Sequence, residues 1–321
     1  MNNFLYTNSI ILIAILQYLI LRLLIKYSYG YKFFLAIPNS RSSHNKIKPR
    51  NGGIAIFISF IIFSIFNNNI FSFSNLFFLI GVFFIGLLDD YKSLNFKIKL
   101  LLQILFSFFL LFSNFNFLDI QFYLLILGII FFINLINFMD GADGYISVNT
   151  ILVLLSILFY LFYFENNNIF ILRLILFYIL INLVFLKFNF YPSKIFLGDS
   201  GSYFHAGVFI ILLFELYKID LNILVLTILC FMPYISDSLI TILIRFKNHK
   251  NIFLAHKEHI YQLYLKQNHN NMVIKYVFYY FLNFSIIFIA FYLSKNLYIS
   301  TLLSIIFNFS AYLFLFKNKT K

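Results

Sequence analysis

The chain has 321 residues, 62% of them hydrophobic and 11% charged, with a mean hydropathy of +0.91. So low a charge content excludes a soluble globular domain, for which roughly 25% is usual, and reads as an all-α, polytopic integral membrane helix bundle. The net charge of +13 excludes a continuous nucleic-acid surface, because apolar blocks separate the basic residues, and reads instead as membrane orientation.

Apolar runs approaching the ~20 residues of a bilayer crossing lie near 5 to 26, 53 to 67, 71 to 88, 100 to 118, 121 to 139, 145 to 164, 169 to 186, 202 to 217, 221 to 244, 273 to 293 and 297 to 316, within one domain covering 1 to 321. With about eleven spans, the segments after odd-numbered spans share one side. Lys46, Lys48, Arg50, Lys92, Lys97, Lys187, Lys194, Arg245, Lys247 and Lys257 fall there, against Arg173, Lys218 and Lys295 opposite. Positive residues mark the cytoplasm, which puts the N-terminus outside and the C-terminus inside. The N-terminus shows no cationic leader region or small-residue cleavage site, so the first span reads as retained. The lone Cys230 lies in an apolar run and rules out an intramolecular disulfide or a cysteine metal site.

The cytoplasmic segments also collect acids. The first, Ser40 to Gly53, joins cations including Lys48 to His44 and a glycine pair, which suits a flexible loop facing an anionic ligand. The second places Asp89 and Asp90 side by side at the end of an apolar helix, where two carboxylates repel unless a cation or proton joins them; this favours a metal or a general base. Lys99, just beyond, is within reach of a phosphate.

The third, Asn134 to Gly144, is the centre of the pattern. On a helix Asn134, Asn137 and Asp140 recur every three residues and share one drifting face, while Gly141 and Gly144 allow a tight turn that presents Asp143 beside Asp140. Oxygen ligands at this density suggest magnesium, held by one or two carboxylates and a substrate phosphate. In the fourth, Tyr191 to Ser202, Ser200 or Ser202 is expected to cap the next helix, whose amides favour an anion, with Asp199 supplying a metal oxygen. In the fifth, His256 and His259 have zinc-compatible spacing but no third ligand nearby, and the surrounding cations favour a diphosphate contact. Asp237 lies about two turns inside the membrane from Arg245; pairing within the bundle and lining a lipid path are both open to it.

In this order the motifs SSHNKIKPRNGG, GLLDDY, NFMDGADG, KIFLGDSGS and AHKEHIYQ resemble the polyprenyl-phosphate N-acetylhexosamine-1-phosphate transferase family (glycosyltransferase family 4), over about Ser40 to Gln262. The resemblance implies an enzyme of the bacterial inner membrane with its active site at the cytoplasmic face. It implies transfer of a sugar-1-phosphate from a UDP-linked amino sugar to undecaprenyl phosphate, starting O-antigen or other cell-envelope glycans. Asp89 resembles the family's proposed base and Asp90 its neighbour; Lys99 resembles a diphosphate contact. Asp199 resembles the magnesium ligand, with manganese as a substitute ion, and Asn137 an amide at the metal. Asp143 and Phe196 resemble positions that hold and stack the uracil ring, and His256 and His259 the histidine motif. The muramoyl-pentapeptide branch carries consecutive histidines, whereas this chain has His-Lys-Glu-His, which argues against the peptidoglycan precursor as substrate.

The candidate catalytic residues are therefore Asp89, Asp90, Lys99, His256 and His259. Candidate substrate contacts are Lys48, Asn134, Asp143 and Phe196, and candidate metal ligands Asp199, Asn137 and Asp140. Membrane lipid and a second copy of the chain complete the expected partners. The competing class is a secondary transporter of an anionic solute, which would hold its site near the bilayer midplane rather than at loop borders.

Overall fold

The computed structural model describes residues 3–31, 34–38, 46–67, 71–112, 115–166, 168–251, 258–265 and 269–319. They form helices α1 (Asn3–Tyr31), α2 (Gly52–Phe66), α3 (Phe73–Tyr91), α4 (Phe96–Phe112), α5 (Ile120–Phe138), α6 (Tyr145–Tyr163), α7 (Ile169–Asn189), α8 (Gly198–Ile219), α9 (Leu221–Leu229), α10 (Met232–Lys247), α11 (Ile260–Leu265), α12 (His269–Ser294) and α13 (Leu297–Lys319). Two short strands, β1 (Leu35–Ala36) and β2 (Lys48–Pro49), pair antiparallel with Leu35 opposite Pro49.

Each apolar run read from the sequence overlaps a helix, although the run 100 to 118 outlasts α4, which ends at Phe112, and the run 221 to 244 is divided between α9 and α10. Among the described residues eight helices are long and apolar enough to cross a membrane, and α9 with α10 passes the same test as a pair bent by 53°. Pro233, in the first turn of α10, has no amide to continue the helix from α9. α2 has 15 residues, about 22 Å at 1.5 Å per residue, short of a ~30 Å hydrocarbon core. Local signals set several helix starts: Ser72 accepts from the Asn75 amide (3.2 Å), Asn168 from Ile171 (3.2 Å) and Asp220 from Asn222 (2.6 Å).

The chain gathers in two compact units, one from Met1–Ile37, Lys46–Ser147 and Asn168–Leu212, the other from Pro38–Asn45, Val148–Asn167 and Leu213–Lys321. Stacked aromatics fill the first: Phe57 lies 3.8 Å from Phe83 and Phe63 4.0 Å from Phe177, centroid to centroid, both pairs nearly parallel. The second buries Ile240, Ile260 and Tyr312 with Tyr279 beside them, and a polar knot in which Asn283 Oδ1 accepts from Ser304 (3.0 Å) and Asn308 (2.6 Å).

Candidate active site

In the first unit a short backbone ladder organises the loops. The Phe196 amide donates to the Pro49 carbonyl (2.7 Å), Gly52 to Phe196 (3.0 Å) and Gly53 to Leu197 (2.8 Å), so the chain after β2 lies against the approach to α8. This brings Lys48, Asp143 and Phe196 together. The Lys48 ammonium sits 4.9 Å from the Phe196 ring centroid, donates to Ser193 Oγ (2.9 Å) and pairs with Asp143 (3.5 Å). Asp143 in turn accepts the Ser193 amide (2.9 Å). Gly144, at φ +75°, makes the turn expected of it and donates to Asn189 Oδ1 (3.0 Å), while Asn189 donates to the Ile195 carbonyl (2.9 Å).

The α8 cap differs from the sequence expectation. Neither Ser200 nor Ser202 caps the helix; Asp90, from the end of α3, accepts the amides of Asp199 (3.0 Å) and Ser200 (2.9 Å) on its two carboxylate oxygens. A carboxylate satisfies two otherwise unpaired amides with full charge, which a serine cannot match. The place where the sequence put a ligand anion is thus filled by the chain's own Asp90, whose carbonyl accepts from Arg50 (2.6 Å) and whose carboxylate lies 3.8 Å from the same guanidinium. Gly198 makes the approach possible at φ +81°, where a Cβ would meet the Arg50 carbonyl and lie 2.7 Å from Asp90 Oδ2.

Asp89 points the other way. It accepts the Leu94 amide (2.7 Å) and pairs with Lys99, so Lys99 engages this carboxylate rather than standing free for a phosphate. The carboxyls of Asp89 and Asp199 are in hydrogen-bonding reach of one another, and two carboxylates share such a contact only with a proton or cation between them. Asp140 lies within range of Asp90 and Asp143: enclosure by protein, then those two charges, push its carboxyl up to about 8. It lies just past α5, which ends at Phe138, its amide closing a tighter turn onto the Asn137 carbonyl (3.1 Å). The expected shared helical face therefore stops at Asn137, whose side-chain oxygen accepts from Ser202 (2.7 Å).

Among the described residues no three His, Cys, Asp or Glu side chains gather closely enough to cage an ion. The donors present are carboxylate and amide oxygens with too few neighbouring cations. Asp199, Asp140 and Asn137 thus fit a hard ion of the magnesium type, which takes one or two carboxylates and completes its shell with water and phosphate.

Asn134 donates to Gln103 Oε1 of α4 (2.9 Å) and to the Ile130 carbonyl (2.8 Å). His259 belongs to the second unit, where it lies 3.2 Å from Asp237; His256 and the segment 39–45 lie outside the described residues. Asp237 pairs within the bundle, resolving the alternative left open above. Arg50, Ser193, Asn189 and Gln103 were not singled out from the sequence. Only Arg50 and Ser193 carried a signal, as neighbours of β2 and of the Phe196 loop.

The profile described as Glycosyl transferase family 4 matches residues 72–217. The "Probable undecaprenyl-phosphate N-acetylglucosaminyl 1-phosphate transferase" of Bacillus subtilis is 32% identical over 244 residues, covering 70% of this chain and 67% of that one. The "Undecaprenyl-phosphate alpha-N-acetylglucosaminyl 1-phosphate transferase" of Thermotoga maritima is 31% identical; the match covers 53% of each protein, about half the relative's length. A "Phospho-N-acetylmuramoyl-pentapeptide-transferase" of Dictyoglomus turgidum is 34% identical over 54% of this chain and 61% of its own.

Proposed function

The chain belongs to glycosyl transferase family 4, and from that membership we propose that it transfers an N-acetylhexosamine-1-phosphate from a UDP-sugar to undecaprenyl phosphate, initiating a cell-envelope polysaccharide such as O-antigen. An oxygen of the lipid phosphate attacks the β-phosphorus of the donor. A new P–O bond forms, the bond from that phosphorus to the bridging oxygen breaks, and UMP leaves; the sugar's own glycosidic bond stays intact. The observation that carries this reading is the pairing of two groups in one unit: the Lys48, Asp143 and Phe196 cradle, suited to a nucleobase, and the neighbouring acids, Asp89 with Asp199 and Asp140 with Asp90.

Asp199 and Asp140, with Asn137, would hold magnesium, which supplies charge neutralisation on the diphosphate oxygens in such transfers. Phe196 stacks the ring and Asp143 accepts from its edge, with Lys48 moving off the ring face to the donor. Lys99 moves from Asp89 to the diphosphate, which leaves Asp89 beside the acceptor phosphate. Because a phosphomonoester is largely ionised above its second pKa of ~6, Asp89 positions the acceptor as readily as it takes a proton. Asp90 acts through the α8 amides that it fixes, orienting Asp199. The active site faces the cytoplasm of a bacterial inner membrane, with the N-terminus outside.

Purified protein in detergent, given undecaprenyl phosphate, magnesium and a panel of UDP-N-acetylhexosamines, tests the reading. UMP release with one donor, abolished by chelation and reduced about 100- to 1000-fold in Asp199→Asn, is the expected result. Full turnover in that variant would remove Asp199 from the metal site, and uptake of solute into proteoliposomes without UMP release would favour a transporter.

A further inference from the structure

The second unit holds an acid that the reaction above does not use. Asp237 is fully buried on α10 and receives four hydrogen bonds: from Thr241 Oγ1 (3.2 Å), the His259 ring (3.2 Å), and the amides of Ile260 (3.0 Å) and Tyr261 (3.1 Å). The last two open α11. Tyr279 of α12 and Tyr312 of α13 are close enough to sense the Asp237 charge. Two turns along the same face of α10, Arg245 pairs with Glu258 (2.9 Å) and donates to the Asn251 carbonyl (2.5 Å), while Lys250 also pairs with Glu258 (2.6 Å). Asp237, Thr241 and Arg245, spaced by four, make one face of α10 a dock for the chain on both sides of residues 252–257.

We propose that Asp237 is a positioning residue that acts through His259. Resting on the transfer reaction above and on the expectation, from the family's histidine motif, that His259 serves the donor diphosphate, the assignment follows from hydrogen-bond chemistry. An ionised carboxylate only accepts, so the nitrogen facing it, Nδ1, must carry the proton, and Nε2 becomes the nitrogen that serves any other contact of the ring. The same carboxylate fixes the next two amides, so the ring's tautomer and its place in the chain are set by one group. A carboxylate that merely capped α11 would not need the ring as well; a carboxylate that merely held the ring would not need both amides.

Two measurements test this. In the native chain, ¹⁵N spectra of the histidine rings, with the His259 signals identified by their loss in His259→Gln, should show Nδ1 protonated. A bare Nδ1 would overturn the proposal, and this measurement alone decides it if Asp237→Asn fails to fold. In the UMP-release assay, Asp237→Asn should lower kcat about 10- to 100-fold, the usual cost of removing the partner that orients a histidine, with the KM for the UDP-sugar within about twofold. In a His259→Gln background the same substitution should cost no more than about twofold. An equal loss in both backgrounds would show that Asp237 does not act through His259. If the native chain releases no UMP with any donor, the transfer reaction is the reading that fails, and the ring spectra still test the contact.

Discussion

Asp90 and Asp237 use one device in two settings. Each is a buried carboxylate on one helix that accepts two consecutive amides at the start of another, 109 and 23 residues away in sequence at the first amide. Asp237 does so among tyrosines and a single histidine, and its four donors satisfy it. Asp90 does so beside Asp140, Asp199 and Asp89, with one guanidinium 3.8 Å away. A lone capped carboxylate is a finished structural unit. Capped within a crowd of like charges, it belongs to a site that needs a cation to be complete.

The largest break in this comparison is expected at the receiving end of the Asp90 cap. Gly198→Ala puts a Cβ into a left-handed backbone and against the Arg50 carbonyl, and should cost about 3 kcal/mol, combining backbone strain with overpacking. Thermal unfolding in detergent would show it as a large fall in melting temperature; an unchanged melting temperature would mean that the cap is loose. Next, Asp237→Asn replaces one charged acceptor by a donor facing a donor, and should cost about 2 kcal/mol. Asp90→Asn loses the same acceptor but also lifts the cost of enclosing an ionised carboxylate beside other acids, so it should cost about half as much. Equal losses in the two variants would erase the distinction between the caps.

The smallest effect concerns pH. With its folded value about 8 against 3.8 for the free carboxyl, Asp140 keeps a proton in the native state that the unfolded chain gives up. The stability from that proton is whole below the unfolded value and is lost as pH rises through about 8. Without divalent cations the melting temperature should therefore fall across about pH 5 to 9 more steeply in the native chain than in Asp140→Asn. Identical slopes would mean that Asp140 titrates as an ordinary carboxyl.

Much of this was legible in the sequence because it is carried by short-range pattern. The apolar runs fell on helices, and the DD, DGADG and LGDSGS clusters hold the acids that crowd together, since carboxylates at the ends of apolar helices have few places to go. What was not legible depended on partners far apart in the chain. Ser200 and Ser202 looked like caps because capping rules are local, and nothing near α8 announces a carboxylate from α3. Likewise the end of α5 at Phe138, which removes Asp140 from the face of Asn134 and Asn137, leaves no glycine or proline signal at that position. Gln103, which takes up Asn134, lies in the middle of an apolar helix where a single amide reads as incidental.

The rungs joining Pro49, Gly52 and Gly53 to Phe196 and Leu197 bear on how this protein can change over generations. Because these rungs fix which residue of one stretch lies against which of the other, one residue gained or lost in 48–53 or 193–198 would shift Lys48 and Phe196 out of register. Descendants of this chain are thus free to revise the cradle letter by letter, but not to lengthen or shorten it. Length variation should collect instead outside these two stretches, and a homologue with an insertion in either would have had to find another way to grip its donor.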